Sequence, residues 1–443
     1  NRLYRNEGAR FIDVTDQHEG IAGAGDDWTT GAATADVDLD GDLDLYLANY
    51  FVHDPESLKT RGFCPFMGCE VPCGPHGMIP QPDVFLLNSG FPDYRYTVAS
   101  LERDGASFAP SYGFQPVFSD VDGDGDPDLY VANDSVENAL FINDGTGRFD
   151  EMGLVAGVSV GGGGQMEAGM GVALGDIDGD RLPEIYVTNF STQANAFYKN
   201  STKAGDSPWF DEASSFAGLG PPTWFDLSWG CCLADLDCDG EMDVVSSNGH
   251  VYPQVDGCDL PTLSYYQVNR LFAGKGGGRF VEVGDAAGIP FSTPGAHRGM
   301  ATGDLDNDGD LDLVFNRLDG TPLLAWNESP NRGNWLQVTV EKAEEDERAY
   351  TLAVGATAHV TAGGRSWSRT LIAGSSFLGT DDPRLHFGLG EVQSIDAMEI
   401  TIPGIGSHLF EGISGGRHVT ISASRQAEND DEVVSWLQTE EEF

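Results

Sequence analysis

Carboxylates recur along this chain at a spacing suited to holding a hard cation. The segment DVDLDGDLD occupies 36–44, DVDGDGDPD 120–128, DIDGDRLPE 176–184, DLDCDGEMD 235–243 and DLDNDGDLD 304–312. Each places acids at its first, third, fifth and ninth positions, and four of the five carry glycine at the sixth. The candidate ligands are Asp36, Asp38, Asp40, Asp42 and Asp44; Asp120, Asp122, Asp124, Asp126 and Asp128; Asp176, Asp178, Asp180, Leu182 and Glu184; Asp235, Asp237, Asp239, Glu241 and Asp243; and Asp304, Asp306, Asp308, Asp310 and Asp312. Like charges so crowded repel one another unless a cation sits among the oxygens. Alternating oxygen ligands, with a glycine to turn the chain, are what Ca²⁺ selects, so about five structural calcium ions are expected.

The elements that must position these loops are strands. Each loop runs into a short apolar stretch: LYLAN ending at Asn49, LYVAN at Asn133, IYVTN at Asn189, VVSSN at Asn248 and LVFN at Asn316. A second signature follows, as PDVFLLN ending at Asn88, NALFIN at Asn143, NAFYKN at Asn200 and NRLFAG at Gly274, and NRLYRN opens the chain. A glycine-rich turn and an aromatic strand, such as RFIDVT ending at Thr15 or RFVEV at Val283, complete the unit. The loops start 84, 56, 59 and 69 residues apart. Several short strands per repeat of this length read as an all-β fold, a β-propeller with one small sheet per blade. Five blades are recognisable and a total of five to seven is expected. The chain opens on the later strands of a blade and leaves the repeats through TPLLAWN ending at Asn327. The two ends are therefore expected to complete one blade jointly.

These motifs resemble the FG-GAP/VCBS repeat family, whose blades carry a calcium loop of the form DxDxDGxxD. The whole chain resembles the bacterial relatives of cartilage acidic protein, which pair such a propeller with a C-terminal ASPIC/UnbV domain. That second likeness spans roughly 333–422. It rests on GNWLQV ending at Val338, VGA at Ala356, AGGR at Arg365, AGSSF at Phe377 and DPRLHFGLG at Gly390, with CEVPCGPHG at 69–77 in the first insertion. The stretch EEDERAYT at 344–351 is longer and more acidic than the family pattern. The resemblance implies a propeller over 1–328 with a cysteine-bearing insertion at about 50–82, a second β domain over 333–424 and an acidic tail over 425–443. Period-two alternation in WLQVTV, ATAHVT and AMEITI makes the second domain a small β-sandwich or barrel. In the tail, Val433, Val434, Trp436 and Leu437 stand amid acids, which reads as a short docking helix or a disordered acidic segment.

Composition bounds the partners. The net charge of −47 is extreme, and lysine is reduced to Lys59, Lys199, Lys203, Lys275 and Lys342. Five divalent ions would leave about −37, a surface that repels nucleic acid and anionic membranes. Adaptation to salt and an acidic face for a basic partner both account for it. There is no run of apolar residues long enough to span a bilayer as a helix. The chain starts at Asn1 rather than methionine, as a mature product after signal-peptide removal would. Weak calcium loops also suit external calcium. An extracellular, periplasmic or cell-surface location is expected.

Seven cysteines form two groups, Cys64, Cys69 and Cys73, then Cys231, Cys232, Cys238 and Cys258. An odd count leaves at least one thiol free or paired to another chain. In the first group a loop-stapling disulfide is the leading reading, with Cys64–Cys73 preferred and Cys69–Cys73 open. Three thiols with His76 could instead hold Zn²⁺. A bridge from Cys238 to Cys258 is also plausible. Cys231 and Cys232 are adjacent on a strand and should face opposite sides.

No catalytic motif of recognised spacing occurs: there is no GxSxG, HExxH or Walker loop, and the glycine-rich run at 161–171 lacks the lysine of a phosphate cradle. Glu167, His250, His297 and Arg298 lie beside blade strands and could converge at the ring axis, or could hydrogen-bond adjacent blades. Sequons at Asn133, Asn189, Asn200 and Asn327 mostly coincide with the repeat's own asparagines. The reading is a calcium-stabilised propeller that binds a protein or glycan, or helps an assembly. A structural subunit of a surface layer, filament or membrane-associated complex is one alternative. An enzyme with its site in the channel is another.

Overall fold

The computed structural model describes every residue except 9, 23–26, 91–93, 100–109, 204, 259, 319, 330–331, 344–349, 429–430 and 442–443; for 57, 285, 425–428, 431–433 and 441 it describes the backbone alone. The chain is all-β. A two-stranded sheet, β1 (Tyr4–Asn6) with β2 (Phe11–Asp13), comes first. The first four-stranded sheet joins β3 (Thr29–Ala35), β4 (Asp44–Asn49), β7 (Val84–Asn88) and β8 (Tyr96–Ala99). Between β4 and β7 the insertion forms its own hairpin, β5 (Phe63–Phe66) with β6 (Cys69–Pro72).

Three further antiparallel meanders follow. They are β9 (Gly113–Ser119), β10 (Asp128–Asn133), β11 (Ala139–Asn143) and β12 (Phe149–Glu151); β13 (Val172–Gly175), β14 (Glu184–Val187), β15 (Ala196–Asn200) and β16 (Phe210–Glu212); and β17 (Ser228–Ala234), β18 (Asp243–Asn248), β19 (Arg270–Gly274) and β20 (Phe280–Glu282). A three-stranded sheet, β21 (His297–Gly303), β22 (Asp312–Arg317) and β23 (Leu323–Ala325), ends the series. Each acidic loop is the turn between the first two strands of its sheet. The strands β10 and β18 that follow two of these loops are buried along their whole length, so they read as apolar runs rather than alternating ones.

Successive sheets pack face to face through aromatic and aliphatic side chains. Tyr46 and Phe85 of the first meet Phe118, Phe141 and Phe149 of the second, and Tyr130 and Leu140 of the second meet Ile185 and Tyr198 of the third. Cys231 and Cys232 do face opposite sides: one joins the core shared with the third sheet, the other the core shared with the fifth. The repeat's asparagine stitches neighbours together. Asn143 Nδ2 donates to Pro127 O in its own sheet and, at 2.8 Å, to Val37 O in the sheet before; Asn200 does the same with Pro183 O and Val121 O, and Asn327 with Leu311 O and Leu236 O. The sequon asparagines Asn200 and Asn327 are thus committed to these bonds. Asn133 and Asn189 likewise donate to carbonyls, of Glu137 and Ala194.

The two chain ends of the repeat region do not complete one sheet, contrary to expectation. The N-terminal hairpin stays separate from β23, and its Leu3 packs against Leu47 and Leu86 of the first sheet.

The C-terminal region is a two-sheet sandwich, as its alternation implies. One sheet orders β25 (Tyr350–Leu352), β24 (Asn334–Ala343), β31 (Arg417–Glu428) and β32 (Asp431–Glu441), with β28 (Leu385–Gly390) also on β24. The other orders β27 (Arg365–Thr370), β26 (Thr357–Ala362), β29 (Ala397–Ile402) and β30 (Gly406–Glu411). Leu336, Val338, Val360, Phe387, Ile400 and Val419 form its core. The acidic tail is neither a short helix nor a free segment. It is β32, paired along its length with β31, and Trp436 stacks on His408 at 5.5 Å.

One segment of this sandwich, 373–379, enters the middle of the repeat region and touches the first strand of all five sheets. Thr34 N donates to Ala373 O, Ser376 and Val172 exchange backbone bonds, Cys231 N donates to Ser376 Oγ, and Ser376 Oγ donates to Met300 O. Phe377 lies on Phe114 and Trp229 with ring centroids 5.5 and 5.1 Å apart. Glycine admits it: a Cβ at Gly230 would lie 2.9 Å from Ser376 Oγ, and one at Gly299 would lie 2.8 Å from Phe377 O. Replacing buried Phe377 by alanine should cost about 3–5 kcal/mol in denaturant unfolding. Exposed Leu378→Ala should stay within about 0.5 kcal/mol.

Candidate metal centres

Two backbone turns shape every loop. Position four has positive φ in all five (Leu39, Gly123, Gly179, Cys238, Asn307), and so has position six (Gly41, Gly125, Arg181, Gly240, Gly309). Glycine suits the sixth because its φ lies near +100° in most copies. Arg181 accepts the strain in the third loop and pairs with Glu399 of the sandwich at 3.1 Å.

The acids then divide their work. The first accepts the amide of position six, as Gly41 N to Asp36, Gly125 N to Asp120, Arg181 N to Asp176, Gly240 N to Asp235 and Gly309 N to Asp304. The fifth accepts the amide of position seven in each loop. The ninth anchors the loop to its sheet. One oxygen of Asp128 accepts Val121 N and the other Asn143 N, and Asp44, Asp243 and Asp312 repeat this.

Carboxylate oxygens from positions one, three and five converge within 4.8 Å in the first, fourth and fifth loops. In the second and third, Asp120, Asp122 and Asp128, and Asp176, Asp178 and Glu184, converge instead. Position seven is not drawn into these groups: Asp310 pairs with Arg332 at 2.8 Å and Glu241 with Arg365 at 2.5 Å. Asp42, Asp126 and Leu182 also lie outside them.

The donor set fits a cation. Buried oxygens of Asp36, Asp38, Asp122, Asp126 and Glu184 have no hydrogen-bond partner, a costly state for a carboxylate unless something positive meets it. Burial, and after it the neighbouring acids, pushes Asp126 up to about 7. Burial likewise carries Asp44 to about 7 and Glu184 to about 8, against backbone bonds that hold each down.

The sandwich sits on these loops. Trp367 Nε1 and Arg365 donate to the backbone of Gly240, Gln337 Nε2 donates to Asp304, Arg384 to Asp304 O, Arg332 to Asp308 and Lys342 to Gly41 O. A Cβ on Gly309 would overlap the Trp335 ring. None of these partners was singled out in the sequence as a loop contact. For Trp335, Gln337, Arg384 and Arg365 the signal lies in GNWLQV, DPRLHFGLG and AGGR, strings that carry the family resemblance; Arg332, Lys342 and Trp367 lie outside those strings.

The residues that could have formed a channel site serve as ties. Arg298 donates to the carbonyls of Gly249, His297 and His250 and lies over the Trp229 ring at 4.5 Å. His297 Nδ1 meets Asn248 O. His250 is held neutral, its pKa lowered to about 4 by burial and by Arg298, among Phe66, Phe190 and Tyr252. Glu167 accepts from Gln165 and Asn189.

Cys64 pairs with Cys73, the preferred bridge. Cys258 pairs with Cys69, not Cys238, which corrects the Cys238–Cys258 expectation: Cys238 is buried inside its loop, 3.9 Å from His386. With all three cysteines of the insertion bridged, the zinc reading lapses. The disulfides fit an oxidising compartment. Among the described residues no helix is long and apolar enough to cross a membrane.

A β-rich chain of repeated sheets, each turned on an acidic loop and followed by a sandwich, defines a class. The comparisons place the chain within it. The FG-GAP-like repeat family matches residues 120–187 and 259–315, and the ASPIC and UnbV family matches 346–428. The chain therefore carries FG-GAP-like repeats followed by an ASPIC and UnbV domain, and it is homologous to cartilage acidic protein 1. The Homo sapiens protein of that name is 24% identical over 413 residues, 91% of this chain and 55% of that one. The Mus musculus protein is 28% identical over 222 residues, 50% of this chain and 29% of that one. The chain thus spans little more than half of these relatives' length at most. A solved structure of an Agrocybe aegerita lectin that recognises non-reducing terminal N-acetylglucosamine is 14% identical, with a TM-score of 0.33, covering 69% of this chain and 79% of that one.

Two outcomes are expected. Because burial raises the carboxyls of Asp44, Asp126, Glu184 and Asp243 in the folded state, the calcium-free protein holds protons that the unfolded chain has released by about pH 5. Its stability should therefore be highest at acid pH and fall as the pH rises through about 7 to 8. Melting-temperature loss on calcium depletion should be larger at pH 8 than at pH 5. Separately, Cys258→Ser should leave Cys69 open to alkylation while the Cys64–Cys73 peptide stays bridged in a non-reducing map.

Proposed function

We propose that this chain is a secreted or cell-surface, calcium-stabilised β-propeller that works as a protein- or glycan-binding module. On this reading each acidic loop holds one Ca²⁺, bound by its converged carboxylates, which supplies the positive charge that the unpartnered oxygens lack. The ions then stiffen the face on which the sandwich rests, giving a rigid scaffold. The first loop would use Asp36, Asp38 and Asp40, and the others their corresponding clusters.

The observation that carries the binding role is the Cys69–Cys258 bridge. It joins the 50–82 insertion to the 250–268 loop, the two long excursions from the repeat, and makes one surface of them. That surface displays Phe63, Met67, Ile79 and Tyr266, exposed at 63, 46, 71 and 44%. Stapled apolar groups of this kind cost little entropy on binding and are what partner surfaces use.

The experiment is a glycan array and a cell-surface binding assay with labelled protein, in calcium and after chelation. Binding in calcium should be lost on chelation and in the Phe63→Ser, Met67→Ser, Ile79→Ser variant, which keeps its melting temperature. Binding that survives both treatments would refute the assignment of the surface. For the ions, Asp122→Ala should remove one calcium per chain by elemental analysis and lower the melting temperature in calcium. Without calcium it should leave stability unchanged or raise it, because a buried unpaired carboxylate is gone.

A further inference from the structure

A cavity of about 1090 Å³ lies between the sandwich and the acidic loops of the second, third and fourth sheets. The loops bring Asp120, Asp176 and Asp235 to its wall, and the sandwich brings residues of β27 and the stretch 381–386. It lies at the opposite end of the sheets from the stapled insertion. The acidic loops join first strands to second, whereas the insertion joins a second strand to a third. Its volume is in the range of small-molecule sites.

Buried polar groups in folded proteins normally find partners. Among the described residues five buried side-chain nitrogens have none. Three of them, Arg369 Nη2, His386 Nδ1 and His359 Nδ1, belong to residues that line this one cavity. What each requires follows from the bonds its neighbours already make. Arg369 donates Nε to His386 O at 3.3 Å and Nη1 to Ser368 O at 2.8 Å, which leaves Nη2 a charged donor without an acceptor. His386, only 7% exposed, meets Gly309 O through Nε2 at 3.0 Å. A carbonyl only accepts, so Nε2 carries the proton, and burial keeps the ring neutral with its pKa lowered to about 4. Nδ1 is therefore a bare acceptor. The other two arginines of the wall are committed, Arg181 to Glu399 and Arg384 to Asp382.

The charge of the wall narrows the ligand. Ten acids and three arginines line the cavity, a field that disfavours an anion. Three divalent ions in the contributing loops would bring it only near neutral. A cation would leave Arg369 Nη2 unmet. What fits is a neutral molecule whose groups both donate and accept, and hydroxyls do both. Thr302, Ser368 and Thr370 add polar partners, while Leu174 and Leu233 offer apolar wall for C–H faces. We propose that this cavity binds an uncharged mono- or disaccharide, its hydroxyls accepting from Arg369 Nη2 and donating to His386 Nδ1. The site is separate from the insertion surface and does not rest on the binding role assigned there.

The test titrates glucose, galactose, mannose and cellobiose into the full chain in calcium, with sodium glucuronate and sodium sulfate as anionic controls, read by saturation-transfer NMR. At least one neutral sugar should bind saturably with a Kd of about 1 mM or tighter, and neither anion should. Arg369→Met should weaken that binding at least about tenfold, as loss of a hydrogen bond to a charged group does. Thr370→Trp fills the cavity from a half-buried wall position. It should abolish binding and keep the melting temperature, which holds the proposal to account even if Arg369→Met fails to fold. Failure of all four sugars to bind overturns the proposal, as does sugar binding that Thr370→Trp leaves unchanged. Binding of glucuronate or sulfate in place of the sugars overturns the assignment of a neutral ligand.

Discussion

Everything in this molecule is arranged around carboxylates that cannot be left alone. Each loop draws acids inward to complete a turn. Two of them spend their oxygens on backbone amides, and the third carries an oxygen that nothing in the chain reaches in the first two loops. The low dielectric that strengthens the amide bonds also raises the cost of the unmet charge. A loop of this kind is stable as a turn only in the company of a cation or a proton. This is why the strand that follows it, the asparagine that bonds beside it and the sandwich that covers it all converge on the same few backbone atoms.

The sandwich is therefore better understood as part of the repeat region's closure than as an appended domain. Arg365 of the sandwich pairs with Glu241, and Arg332, just ahead of it, pairs with Asp310, two loop acids outside the converged clusters. The sandwich also supplies the segment 373–379 that occupies the centre. There Phe377 packs on Phe114 of the second sheet and Trp229 of the fourth, and Arg298 over Trp229 adds a cation–π interaction. The same packing takes up His250, His297 and Arg298 in backbone hydrogen bonds, the second of the two roles open to them from sequence.

What was legible in the sequence was local. Acid spacing, glycine at the sixth loop position and the strand signatures are properties of ten to fifteen neighbouring residues, so the loops and sheets follow from them directly. The asparagines were visible as a repeat mark, yet their partners lie about eighty residues or more away in another sheet, as with Asn200 and Val121. The Cys69–Cys258 bridge spans 189 residues and joins segments with no common pattern, so the nearer Cys238 was the natural guess. The tail misled for a different reason. Its apolar residues come as adjacent pairs, Val433–Val434 and Trp436–Leu437, which fit no period-two face, although β31 imposes one: Trp436 turns in and Leu437 is 56% exposed.

Ring closure was the least legible feature because it depends on a relation between chain ends rather than on any motif. The N-terminal hairpin carries a correct outer-blade sequence, and that made joint closure with β23 the simplest expectation. β23 is, however, already the third strand of its own sheet, pairing Phe315 with Leu323. A sheet has one place for a third strand. Two third-strand segments, each ending in the repeat's asparagine, cannot share it, so the hairpin and β23 belong to different sheets, and the hairpin's Tyr4 and Phe11 are left exposed.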